Sequence, residues 1–280
     1  MPQERFPTLF QPLHLISAFK FKIYHWASQI LVTAQKPSLK GIILSFMATC
    51  LIISPFSTIA DLHGTLTTTS NYVYRGYSKS YDKFALQANL DYESEAGGYI
   101  GASASTVDFD DKEDFDNTSQ VEITPYLGWT YGLSDDWRLD LRYIRYLYDA
   151  NIFGKKSDFN EYYLLIHYRD LLSANISFSE DYYNRGKSAQ NYELTGRYPL
   201  TDYLQVSSGV GYSQTKKTLE HDYLYWNAGL IFSYKFASLD FRYVDATEIA
   251  TNQGSPSGGQ FAYVPEVLKS YFVFTISLGF

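Results

Sequence analysis

The sequence predicts an all-β protein: a closed antiparallel transmembrane β-barrel of about twelve strands. Three observations carry the prediction. From Asp61 onward apolar side chains recur with period two rather than 3.6. The segments that show this period are roughly 9–11 residues long, the length a tilted strand needs to cross a bilayer and longer than most soluble strands. The chain is also unusually aromatic, with 27 tyrosines, 19 phenylalanines and 4 tryptophans in 280 residues. Such side chains, half apolar and half polar, suit the boundary between lipid and water.

The alternation is clearest at the C-terminus, where Phe272, Phe274, Ile276, Leu278 and Phe280 interleave with Val273, Thr275, Ser277 and Gly279. It recurs in Val121, Ile123, Pro125, Leu127 and Trp129 against Glu122, Thr124, Tyr126 and Gly128, and in Leu139, Leu141 and Tyr143 against Arg138, Asp140 and Arg142. Taken in order, the strands are expected near residues 63–74, 83–92, 98–108, 119–131, 137–148, 159–169, 171–180, 189–198, 203–213, 223–234, 237–246 and 270–280. Connections alternate between two-to-four-residue turns, such as Leu133 to Asp136 and Lys235-Phe236, and longer loops, such as Asp149 to Asp158. Both barrel termini fall on the short-turn side. That is the topology of bacterial outer-membrane barrels, with short periplasmic turns and longer extracellular loops. A sheet in hydrocarbon must close, because an edge strand there would leave its backbone groups unpaired.

The first 60 residues differ. Gly41 to Ile53 form a continuous apolar run preceded by Lys36 and Lys40 and followed by Thr58-Ile59-Ala60. A basic segment, an apolar segment and a small-residue cleavage site are expected to act in that order as a secretory signal peptide; the run is shorter than the roughly 20 residues of a spanning helix. The expected division is therefore residues 1–60 as N-terminal extension and signal peptide, and residues 61–280 as the barrel. The single cysteine, Cys50, lies in the removed part, so neither a disulfide framework nor a Cys-based zinc site is expected. The net charge of −7, or −11 from residue 61 onward (18 basic against 29 acidic side chains), argues against nucleic acid as a partner.

If the apolar stripes face lipid, the opposite stripes face a lumen. The expected pore-lining residues are Glu122, Arg138, Asp140, Arg142, Glu161, Arg169, Glu193, Arg197, Asp240 and Arg242, with Asp91 on the same face. Charges of both signs leave two outcomes open: they pair into a sealed network, as buried charges must, or they line a hydrated channel and set its selectivity. Twelve strands lie between the filled interior of eight and the wide channel of sixteen, so a narrow pore is expected. The apolar alternation Phe272, Phe274, Ile276, Leu278, Phe280 is expected to be the signal for the outer-membrane insertion machinery.

Ser70-Asn71-Tyr72-Val73-Tyr74-Arg75-Gly76-Tyr77-Ser78-Lys79-Ser80 resembles the opening motif of the TorF porin family, and 84–92, 98–108 and 122–128 fit that family's next three strands. The resemblance covers about the first third of the exported part, with Phe280 closing it. It implies an outer-membrane barrel and supplies no catalytic residue, cofactor or agreed solute. Arg75-Gly76 is the most specific local feature, and is expected to mark a strand end at which Gly76 permits a sharp turn and Arg75 caps carbonyls, rather than a solute-contacting arginine.

The function expected is passive diffusion of small hydrophilic solutes through the outer membrane of a Gram-negative bacterium, with membrane lipid and lipopolysaccharide as neighbours. The alternatives are a non-conducting structural or adhesive barrel and an outer-membrane lipid-modifying enzyme. The exported part carries His63, His167 and His221, none tied to a serine by a motif, so no catalytic site is expected. The acidic run Asp108, Asp110, Asp111, Glu113, Asp114 and Asp116 lacks the turn glycine and terminal glutamate of a calcium loop, so no metal site is expected either. The glycine- and proline-bearing segment 247–269 either folds inward or stays outside.

Overall fold

A computed structural model describes residues 62–109, 118–152, 154–219, 221–248 and 269–280. The expected signal peptide, the acidic run apart from Asp108, and 249–268 of the last loop lie outside the described residues.

Among the described residues fourteen strands occur in chain order: β1 (Leu62–Thr69), β2 (Val73–Tyr74), β3 (Tyr77–Ser78), β4 (Ala85–Glu93), β5 (Gly98–Thr106), β6 (Val121–Gly132), β7 (Trp137–Tyr148), β8 (Phe159–Tyr168), β9 (Leu172–Ser179), β10 (Ala189–Pro199), β11 (Leu204–Gln214), β12 (Tyr223–Tyr234), β13 (Ala237–Glu248) and β14 (Tyr271–Gly279). Twelve of them close into one antiparallel barrel, each paired with its neighbour in sequence and β1 with β14; β2 and β3 form a separate hairpin. The closing pair is the shortest, running from Thr65↔Gly279 to Thr69↔Thr275. It is extended by reciprocal backbone hydrogen bonds between Gly64 and Phe280, both 2.9 Å.

The outward face is apolar on every strand. Phe272 is 85% exposed, and Ile100, Leu127, Leu141, Leu164, Ile176, Leu194, Val210, Leu230 and Phe241 are exposed around the wall. Water would not tolerate an apolar belt of that extent on a monomer, whereas hydrocarbon requires one. Aromatic rings border the belt at both ends. Toward the long loops, Tyr143 meets Tyr162 (ring centroids 5.4 Å), Tyr192 stacks on Tyr212, and Tyr243 touches both Trp226 and Phe272 (5.3 and 5.0 Å). Toward the short turns, Trp137 lies 4.9 Å from Tyr168 and Tyr203 packs against Phe232 and Tyr234. Register sets these pairs: Tyr143↔Tyr162, Tyr192↔Tyr212 and Tyr243↔Phe272 are cross-strand partners.

The sequence-based expectation of one strand over residues 63–74 fails. The barrel strand stops at Thr69, and the chain turns inward as the β2–β3 hairpin. Arg75 and Gly76 form its two-residue turn, both with positive φ (49° and 82°), as tight hairpins of this kind need. Gly76 is required twice over, because a Cβ there would lie 2.7 Å from the Ala246 Cβ and 3.0 Å from the Tyr225 Cβ on the barrel wall.

Candidate functional site

The lumen divides into two halves of different character. In the half nearer the long loops the hairpin fills the interior. Each of the twelve barrel strands contributes a buried residue at this end, among them Thr69, Ala85, Ser105, Glu122, Glu161 and Ser213. Together with buried Asn71, Arg75 and Lys79 they make a layer of solid packing across the barrel.

Alternation places Glu122, Glu161 and Glu193 inward from β6, β8 and β10, and the hairpin supplies their counter-charges. Arg75 Nη1 donates to Glu161 Oε1 at 2.8 Å, and its Nη2 donates to Ser177 Oγ at 2.9 Å and to the Tyr163 hydroxyl at 3.3 Å. Its Nε is buried without a hydrogen-bond partner, 3.8 Å from Glu193 Oε2. Lys79 Nζ donates to Glu122 Oε2 at 2.6 Å and lies 4.9 Å from the centre of the Tyr146 ring. Hydroxyls complete the carboxylate shells: Tyr72 and Tyr148 donate to Glu122 at 2.9 and 2.6 Å, Tyr225 donates to Glu193 at 2.6 Å, and Tyr163 donates to Glu161. Buried ions persist only when paired and hydrogen-bonded in this way, and removing one member leaves an uncompensated charge at a cost of about 3–5 kcal/mol. The hairpin is anchored further by Tyr77, whose hydroxyl meets His221 Nε2 at 2.5 Å and whose ring packs edge-on against Tyr223 (4.8 Å).

Arg75 therefore does not cap carbonyls. Its guanidinium binds a carboxylate and two hydroxyls on three positions of the opposite wall, because the turn projects it into the lumen. Sequence reasoning passed over Lys79 altogether.

The half nearer the short turns is more open to solvent. A cavity of about 210 Å³ opens beneath Tyr72, lined by small polar side chains that include Thr65, Thr67, Asn89, Ser103 and Thr124. Arg142 pairs with Asp140 (2.9 Å) and donates to the Tyr99 hydroxyl (2.7 Å), while Arg242 pairs with Asp240 (2.8 Å). Arg138 and Arg197 are exposed, and their side chains have no hydrogen-bond or ion-pair partner among the described residues. Their strands, β7 and β10, flank β8 and β9. Asp91 and Glu93 belong to β4, six strands round from β10 and so on the opposite wall. Arg197 thus lies across the barrel from Asp91 and Glu93, and Arg138 a quarter-turn from them. Arg169, expected on the lumen wall, instead occupies the β8–β9 turn with φ 48° and pairs with Asp136 at 2.8 Å in solvent. That hydrogen bond raises its pKa above the ordinary arginine value.

Among the described residues the histidines do not assemble a hydrolytic triad. His167 Nδ1 lies 2.7 Å from Ser173 Oγ across β8 and β9, but among the described residues no carboxylate hydrogen-bonds its other nitrogen. His221 belongs to the hairpin's anchorage. Asp108 is ion-paired with Lys83 at 2.7 Å, and no group of three or more potential metal ligands occurs among the described residues.

A family profile described as a bacterial protein of unknown function, Gcw_chp, matches residues 54–280. The chain belongs to the Gcw_chp family. Its match begins just before the barrel and runs to Phe280, so the hairpin, both halves of the lumen and the closing strand all lie within the Gcw_chp region. No curated protein matches the sequence. Among solved structures it is similar to the KdgM porin (6% identity, 78% of this chain and 98% of that one, TM-score 0.49). It is also similar to the NanC porin (9%, 78% and 97%, 0.42) and to OprD of Pseudomonas aeruginosa (11%, 80% and 67%, 0.38).

Proposed function

We propose that this Gcw_chp protein is an outer-membrane channel for passive diffusion of small hydrophilic solutes, and that the β2–β3 hairpin is its resident constriction. One observation carries the reading: inward-facing charged and polar side chains line both halves of the barrel, beside a buried aromatic cluster toward the long loops, while the exterior is an apolar belt between two aromatic borders. A barrel that only needed to be stable would be better served by an apolar or fully paired interior. An uncompensated Arg197 on the wall opposite Asp91 and Glu93, with Arg138 exposed three strands away from it, suits a passage instead.

In this reading the chain is exported, processed after Ala60, and inserted with its short turns in the periplasm and its long loops outside, beside lipopolysaccharide. The resemblance of residues 70–80 to the TorF opening motif acquires a physical sense, since that motif is the hairpin itself. No step of the reading calls for a catalytic group.

A second reading, a non-conducting structural barrel, has the buried layer across the long-loop half in its favour. Single-channel recording in planar bilayers separates the two. Discrete steps from the intact protein, larger after residues 72–80 are replaced by a short Gly-Ser turn, support the channel. A folded barrel that stays silent in both forms establishes the structural reading.

A further inference from the structure

The three carboxylates of the long-loop half have no basic partner on the wall. Among the described residues Glu122, Glu161 and Glu193 form ion pairs only with Lys79 and Arg75, both from the hairpin. Remove the hairpin and the wall presents three acidic groups with no cation of their own. The acids also come equipped for a specific kind of cation. Glu161, Tyr163 and Ser177 hold two nitrogens of a planar guanidinium, as a forked donor group demands. Glu122, the Tyr148 hydroxyl and the Tyr146 ring hold a compact ammonium, one face of which lies over the aromatic ring.

We propose that this wall is a binding site for small organic cations bearing a guanidinium or primary ammonium group, with Arg75 and Lys79 as tethered stand-ins for the ligand. The proposal rests on the channel reading and names its solute class. An incoming cation competes with the hairpin for the same carboxylates. It opens the lumen only to the extent that it binds the vacated site and not the filled one. Neutral or anionic solutes of equal size gain nothing by displacing the hairpin, because they would leave three buried carboxylates unpaired.

The test uses guanidinium and agmatine as probes. In the Arg75→Ala protein, folded in detergent, millimolar guanidinium is expected to restore part of the lost thermal stability, and isosteric, uncharged urea is not. Equal effects of the two, or none from either, overturn the proposal. Should that variant fail to fold, the form in which residues 72–80 are replaced by a Gly-Ser turn is titrated calorimetrically with agmatine. Saturable binding is expected, weakened about tenfold or more by Glu161→Gln. Absence of saturable binding, or binding indifferent to that substitution, overturns it. Both readouts are independent of conductance. A conducting barrel with no cation site removes this inference and leaves the channel; a cation site in a barrel that never conducts removes the channel and leaves the site.

Discussion

The two halves of the lumen are built on the same twelve strands and both carry charged side chains, yet they treat those charges in opposite ways. Toward the long loops, Glu161 is fully buried and Arg75 nearly so, and both oxygens of Glu122, Glu161 and Glu193 are held by partners within the protein. Toward the short turns, Asp240 and Arg242 form a pair of similar length but remain partly exposed, and Arg138 and Arg197 form none. The difference comes from the hairpin, which excludes water from one half only. An ion pair of given geometry is therefore structural in one half and adjustable in the other.

Replacing residues 72–80 by a short turn should have the largest effect, converting a closed or rarely open barrel into one with sustained single-channel current. If water already passes around the hairpin, conductance will barely change and the contrast between the halves disappears. Next in size is Glu161→Ala, which strands the Arg75 guanidinium in the buried layer and should cost about 3–5 kcal/mol in denaturant unfolding. Its counterpart in the more open half, Asp240→Ala, should cost no more than about 1 kcal/mol, because water solvates what the pair loses. Equal costs would show that the two halves do not differ in hydration. Deleting Phe280 removes the ring packed over Gly64 and two backbone hydrogen bonds of the closing seam. Its expected result is a several-fold lower yield of heat-modifiable barrel in the membrane fraction, and an unchanged yield would show that closure does not depend on the last residue. The smallest effect is reserved for Arg197→Glu, measured in the form lacking residues 72–80. It should raise cation over anion permeability by a few fold at low salt and leave stability unchanged, with the shift fading at molar salt as screening shortens the reach of the charge. A shift that ignores salt would place Arg197 outside the conducting path.

Most of the barrel was legible because a lipid-facing sheet writes its geometry into every second residue. The boundaries expected for β7 and β12 coincide with those observed, and the others differ by a few residues at most apart from the first. The first strand was misjudged because Tyr72-Val73-Tyr74 continues the alternation of 63–69, and period alone cannot distinguish a strand from the arm of a hairpin. The available signal was Arg75-Gly76 between Tyr74 and Tyr77, a two-residue turn of the kind that favours glycine at positive φ. The division of the charges was not legible. Glu122 and Arg242 both sit on inward-facing positions. Only the fold reveals that Lys79, 43 residues from Glu122, reaches one, while the other pairs with its own strand. Contacts made by a loop folded back into a barrel leave no periodic trace.

The seam between β1 and β14 has a consequence for biogenesis. Every other neighbouring pair in the ring joins barrel strands that follow one another in the chain (β1 and β4 with only the hairpin between them), but the hydrogen bond between the Thr67 and Ser277 hydroxyls spans 210 residues. Until β14 is in place the sheet therefore keeps two unpaired edges, however many of its other strands have formed. A barrel one strand short is thus an open ribbon whose raw edges invite pairing with other chains, and the ring shuts only when β1 and β14 meet.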